Sequence, residues 1–141
     1  MIKLLRTLGT SIVMDFWNCN RAKLNDADYL LGLMSDAAKH AGATIVSASA
    51  KNSPPCGVSV MVVIQESHLG IHTWPEEGYG AVDLFTCGTS VDPYRAARML
   101  TKELEAETWL MTSFPRGIPG RTIALDDIQF PVDTEVGHKV G

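Results

Sequence analysis

Between Glu66 and Gly88 the chain reads ESHLGIHTWPEEGYGAVDLFTCG, which brings Ser67, His68, His72, Glu76, Glu77, Asp83 and Cys87 into one short stretch. Hydroxyl, imidazole, carboxylate and thiol are the groups that carry nucleophilic and acid–base chemistry. Ser67 with His72 could serve as nucleophile and base, as in hydrolases. The nucleophile-elbow pattern G-x-S-x-G is missing, however, because Glu66 and His68 flank the serine. His68, His72 and Cys87 could hold a metal, yet their spacing matches no common zinc cluster. Each residue alone also has a purely structural reading: His68 and His72 in a turn, Ser67 ending a strand, Cys87 a small core hydrophobe. Their concentration beside an apolar strand points instead to a site.

That strand is the near-continuous apolar run Val58 to Gln65. Further strands are expected at Ser11–Trp17, Thr44–Ala50, Ala81–Thr86 and Thr108–Ser113. Asp26 to Ala41 has helical spacing, with Asn25 or Asp26 as cap and Gly42 as stop. A second helix starts at Asp92-Pro93 and runs to about Glu105. Lys51 to Gly57, with Asn52-Ser53-Pro54-Pro55, reads as a turn, and residues 118–141 read as a loosely ordered tail, frayed from Glu135. The order strand, helix, three strands, helix, strand has short links in its middle. It predicts an α+β fold, a two-layer sandwich in which an antiparallel sheet carries two main helices on one face. The other face is then free to be a dimer surface.

The whole stretch closely resembles the prokaryotic S-adenosylmethionine decarboxylase proenzyme family. The matching residues are Gly57-Val58-Ser59, Val62-Val63-Ile64, Glu66-Ser67-His68-Leu69, Ile71-His72-Thr73-Trp74-Pro75-Glu76, Gly78-Tyr79, Ala81 through Gly88, and Val91-Asp92-Pro93. Weaker similarity runs from about Leu8 to Gly117. The resemblance implies a chain that cuts itself between Glu66 and Ser67, into a β chain 1–66 and an α chain 67–141. The Ser67 hydroxyl attacks the preceding carbonyl, and elimination leaves a covalent pyruvoyl group at the new N-terminus. Ser59 matches a residue that assists cleavage, and His72 the one that takes the α-proton, a task suited to imidazole as a residue type. The pyruvoyl carbonyl condenses with the substrate amine and serves as electron sink, the role of a pyridoxal cofactor elsewhere, so neither metal nor pyridoxal phosphate is implied. Cys87 matches the proton donor; a free thiol, with a pKa of roughly 8.5, donates near neutral pH. Leu69, Trp74 and Glu76 fall among the implied substrate contacts, Glu76 matching a glutamate linked to substrate hydroxyls. The family assembles as homodimers of processed protomers around a small-molecule amine substrate in polyamine synthesis.

Three positions depart from the family pattern. A phenylalanine that stacks on the adenine ring is replaced by Ser53; a Gly-Arg/Lys-His triplet is Gly9-Thr10-Ser11; an aromatic or His after Pro75-Glu76 is Glu77. Losing a stacking ring while gaining a carboxylate would suit a smaller cationic substrate, L-ornithine or L-arginine. An uncleaved, non-catalytic binding or regulatory homologue is the reading from another class.

The remaining composition is consistent with these readings. The 141 residues are 45% hydrophobic and 20% charged, with net charge −4. That argues against nucleic acid or an anionic membrane as partner, since both select basic surfaces. No apolar run is long enough for a membrane span, and no signal peptide is expected. Cys19, Cys56 and Cys87 form no CxxC pair, which suggests reduced thiols and a cytoplasmic setting.

Overall fold

Asp26 and Asp92 each start a long helix. Their carboxylates accept the backbone N–H of Tyr29 (3.0 Å) and Tyr94 (3.0 Å), donors that a helix start leaves unpaired. In this computed structural model, which describes residues 7–117 and 133–139, a one-turn helix α1 (Arg21–Leu24) precedes α2 (Ala27–His40) and α3 (Pro93–Glu103). α2 turns Leu30, Leu33, Met34, Ala37 and Ala38 inward, and α3 turns Ala96, Ala97 and Leu100 inward. These positions form the apolar stripe that helical spacing selects.

The strands are β1 (Gly9–Trp17), β2 (Ile45–Asn52), β3 (Val58–Ile64), β4 (Ser67–Trp74), β5 (Tyr79–Cys87), β6 (Thr108–Arg116) and β7 (Asp133–His138). They form one antiparallel sheet in the order β2-β3-β4-β5-β1-β6-β7. α2 lies on β2, β3 and β4, while α3 packs against α2, β1 and β5. The result is the expected α+β sandwich with its two main helices on one face. Ile12, Phe16, Val60, Val62, Ile71 and Leu84 point at the helices and are at most 2% exposed. Each such side chain contributes about 1.5–3 kcal/mol through burial.

Three local expectations are corrected. The expected order has no strand between Gln65 and Ala81, yet β4 is a full strand there: Leu69 and Ile71 are buried while His72 and Trp74 are exposed, a period-two alternation. The turn expected from Lys51 starts later, because β2 continues to Asn52 opposite Val58. Within the tail, residues 133–138 pair with β6 as an edge strand, which satisfies that edge's backbone groups. The rest of the expected tail, 118–132 and 140–141, lies outside the described residues.

The face away from the helices is open. Val13, Trp17, Met61, Val63, Trp74 and Leu110 on it are 36–45% exposed. So broad an apolar patch marks a surface that something else covers. Among the described residues no helix is long and apolar enough to cross a membrane.

Candidate active site

Only Gln65 and Glu66 link β3 to β4, because Ile64 pairs with Ser67. Two-residue hairpin turns favour positive φ at their central residues, which is why they select Gly and Asn. Neither Gln65 nor Glu66 has positive φ; the following Ser67 adopts φ +134° instead. An L-residue held in so sparse a region stores about 1–3 kcal/mol of strain. The turn is also pinned from β2: Gln65 N–H donates to Thr44 O (2.9 Å), and Thr44 N–H to Glu66 Oε2 (3.3 Å).

The Glu66 carbonyl accepts the backbone N–H of Cys87 at 2.8 Å. This carbonyl belongs to the peptide bond between Glu66 and Ser67. A donor there polarises the carbon and stabilises negative charge on its oxygen during attack, as an oxyanion hole does. β5 ends at this point, so the half-buried Cys87 side chain stands beside the turn, across from Gly9. Phe85, two residues earlier on the same face, meets the His68 ring edge-on (5.9 Å) and lies under the Arg116 guanidinium (4.6 Å). Arg116 Nη1 in turn donates to Ser11 Oγ (3.0 Å).

A second group of residues lies at the far end of β4. Ser59 and His72 are cross-strand partners, with Oγ and Nδ1 2.7 Å apart, so the hydroxyl orients the exposed imidazole. Beyond them Trp74 tilts against Tyr79 (5.2 Å), and Tyr79 stacks on Trp17 (4.4 Å). Tyr79 OH donates to Asp15 Oδ1 at 2.5 Å, and burial first, then that carboxylate, pushes the phenol up to about 12. Glu76 and Glu77 follow on the 3-10 turn Pro75–Glu77, both exposed. Ser53 lies exposed in the β2–β3 turn, its N–H donating to Gly57 O (2.9 Å).

The expected residues therefore fall into two clusters: Glu66, Ser67 and Cys87 at one end, and Ser59, His72, Trp74, Glu76, Glu77 and Ser53 at the other. Ser67 and His72 are five positions apart on one strand, roughly 17 Å at about 3.3 Å per residue. A hydrolase-type nucleophile–base pair within one chain is excluded by that distance. His68 and His72 are likewise about 13 Å apart, so a shared ion with Cys87 is excluded as well. Leu69, implied as a substrate contact, is 1% exposed and faces the helices, because it falls on the inward phase of β4. A cavity of about 710 Å³ on the helix side, between α3 and β6–β7, is lined by Met14, Ala97, Trp109 and Met111 and includes none of the reactive residues. Sequence reasoning missed the Cys87 backbone donor, which carries no side-chain signal. It also missed Arg116, an isolated basic residue whose link to Phe85 exists only across the sheet.

Comparison with known proteins identifies the family. Residues 10–117 match the family model described as S-adenosylmethionine decarboxylase. An S-adenosylmethionine decarboxylase proenzyme of Thermotoga petrophila is 42% identical over 136 residues, 96% of this chain and 98% of the relative. One from Pseudomonas paraeruginosa is 40% identical over 121 residues, 86% of this chain and 76% of that one. The crystal structure of the Aquifex aeolicus adenosylmethionine decarboxylase superposes with a TM-score of 0.77 at 30% identity, covering 84% of this chain and 98% of the other. Fold and relatives together define a carboxy-lyase, an enzyme that removes carbon dioxide from its substrate. The chain belongs to the S-adenosylmethionine decarboxylase family.

Proposed function

We propose that this protein cuts itself between Glu66 and Ser67, and that the resulting pyruvoyl group decarboxylates S-adenosylmethionine for polyamine synthesis. One observation carries the reading: the Glu66 carbonyl is held by the Cys87 N–H beside a strained Ser67. Ser67 Oγ attacks that carbonyl carbon, the C–N bond breaks, and an ester replaces the amide. A base then removes the Ser67 α-proton and Glu66 leaves as a carboxylate. Water hydrolyses the remaining enamine nitrogen as ammonia, leaving the pyruvoyl carbonyl. That group supplies the electron sink for loss of carbon dioxide. Cys87, adjacent by register, is the proton donor. Cys87→Ala should still cut, since its backbone N–H remains, yet lose at least tenfold in carbon dioxide release; full activity would remove the thiol from the mechanism.

His72 is the base, acting on the Ser67 of a second copy. About 17 Å of strand separates the two within one chain, while the open apolar face supports a homodimer in which two sheets meet. A two-fold arrangement with antiparallel faces brings the Ser59–His72 end of one copy to the Ser67–Cys87 end of the other. The small-molecule amine is then bound between copies. Trp74 and Glu76 come from one side, and Ser67 and Cys87 from the other.

A second substrate reading has an observation of its own. Ser53 and Glu77 are both exposed at the substrate end, so a stacking ring is missing and a carboxylate is added. Ornithine or arginine would fit that change. Carbon dioxide release from S-adenosylmethionine, ornithine and arginine, measured side by side on cut enzyme, separates the two. Turnover of S-adenosylmethionine alone supports the leading reading. Turnover of ornithine or arginine alone replaces it.

A further inference from the structure

Glu76 follows Pro75 on a one-turn helix, and an exposed glutamate there would ordinarily sample many rotamers. Here it is held at both ends. Arg21 Nη1 donates to its backbone carbonyl at 2.7 Å, and the Cys56 thiol donates to its Oε2 at 3.0 Å. Among the described residues Cys56 is the side chain that hydrogen-bonds this carboxylate. Cys56 comes from the β2–β3 turn, which is itself tied down. Gly57 N–H donates to Asn25 Oδ1 (3.0 Å), and Ser53 N–H to Gly57 O (2.9 Å). Gly57 has φ +110°, and a Cβ there would come within 2.7 Å of Thr73 O, so this turn lies close against the end of β4.

The contact is exposed and crosses between two loops, so it adds little to folding. Its effect is to fix where the carboxylate points. The carboxylate holds the thiol above its ordinary range, and the thiol holds Glu76 below its own, so the donor stays protonated and the acceptor charged.

We propose that Cys56 is a positioning residue that pre-orients the Glu76 carboxylate toward donor groups on the substrate. Ordering the carboxylate before binding lowers the cost of forming the complex. The inference rests on the reading of Glu76 as a substrate contact.

The test uses self-cut enzyme and the substrate identified by carbon dioxide release. Three variants are compared: Cys56→Ala, Cys56→Ser and Glu76→Gln. Iodoacetamide labelling of Cys56, resolved by peptide mass spectrometry, gives a readout independent of turnover. Cys56→Ala should raise KM roughly three- to tenfold, with the effect on KM rather than kcat. Cys56→Ser, which restores a donor, should return KM to within about twofold of the parent. Glu76→Gln should raise KM further and speed labelling of Cys56, because the carboxylate no longer disfavours the thiolate. If Glu76→Gln raises KM while Cys56→Ala does not, the positioning role is overturned and the Glu76 contact stands. If Glu76→Gln leaves KM unchanged, the Glu76 contact itself falls and takes the inference with it. Unchanged labelling in Glu76→Gln would remove the thiol–carboxylate hydrogen bond.

Discussion

Ser67→Ala is expected to leave one uncut chain of 15.3 kDa, while the parent chain separates into fragments 1–66 and 67–141. The loss is complete, because no other side chain at this position of the hairpin can supply both nucleophile and leaving group. Intact mass measured after long incubation reads the outcome directly. Two fragments from Ser67→Ala would overturn the nucleophile assignment, and an uncut parent chain would favour the non-catalytic homologue. Ser67→Gly adds a second measurement on the same bond. It also stays uncut, but glycine adopts φ +134° without a Cβ penalty. Relief of strain, less glycine's larger unfolded-state entropy, leaves about 1–2 kcal/mol in its favour. The uncut Ser67→Gly chain should therefore melt roughly 3–8 °C above Ser67→Ala. Equal melting temperatures would mean that the strain at Ser67 is no larger than glycine's entropic cost, about 0.4–1 kcal/mol, too little to drive cleavage beside the Cys87 N–H.

The second large effect concerns His72. His72→Ala alone should stall before pyruvoyl formation, and Ser67→Ala alone cannot begin. Co-expressed, the two should restore each other. In a mixed pair, the intact Ser67 of one copy faces the intact His72 of the other, and that site is whole. With free exchange at equal amounts, about half of the His72→Ala chains sit in mixed pairs and can be cut. The change is from essentially none to a large fraction, read by mass spectrometry on the His72→Ala chain. If mixed pairs form and remain uncut, the assignment of His72 to the partner's Ser67 is wrong.

Much of the scaffold is legible in the residues themselves. Asp26 and Asp92 mark helix starts, because a carboxylate at that position has an unpaired backbone donor to accept from, and both do so. The inward faces of α2 and α3 follow from apolar spacing alone. β4 was hidden by its own chemistry: His68 and His72 read as turn residues and Ser67 as the end of a strand, although Leu69 and Ile71 already alternate with His68 and His72. β7 was hidden for a different reason. Asp133-Thr134-Glu135-Val136-Gly137-His138 has little apolar character, and its strand conformation depends on hydrogen bonds to β6, more than fifteen positions earlier in the chain.

The site divides along the same line. By itself the sequence determined which groups are candidates for the chemistry, since Ser67, Glu66, Cys87, Ser59 and His72 are singled out by residue type, order and family resemblance. Only the tertiary structure decided how those groups are distributed. A strand advances about 3.3 Å per residue, so neighbours in sequence such as Ser67 and His72 are carried to opposite ends of one strand. Sheet pairing does the reverse, placing the Cys87 N–H 2.8 Å from the Glu66 carbonyl, although the two residues are far apart in the chain. It also sends Leu69 inward while His68 before it stays half-buried against Phe85. Composition and motif name the candidate groups, but strand geometry separates them into two clusters, which the proposed homodimer would bring together.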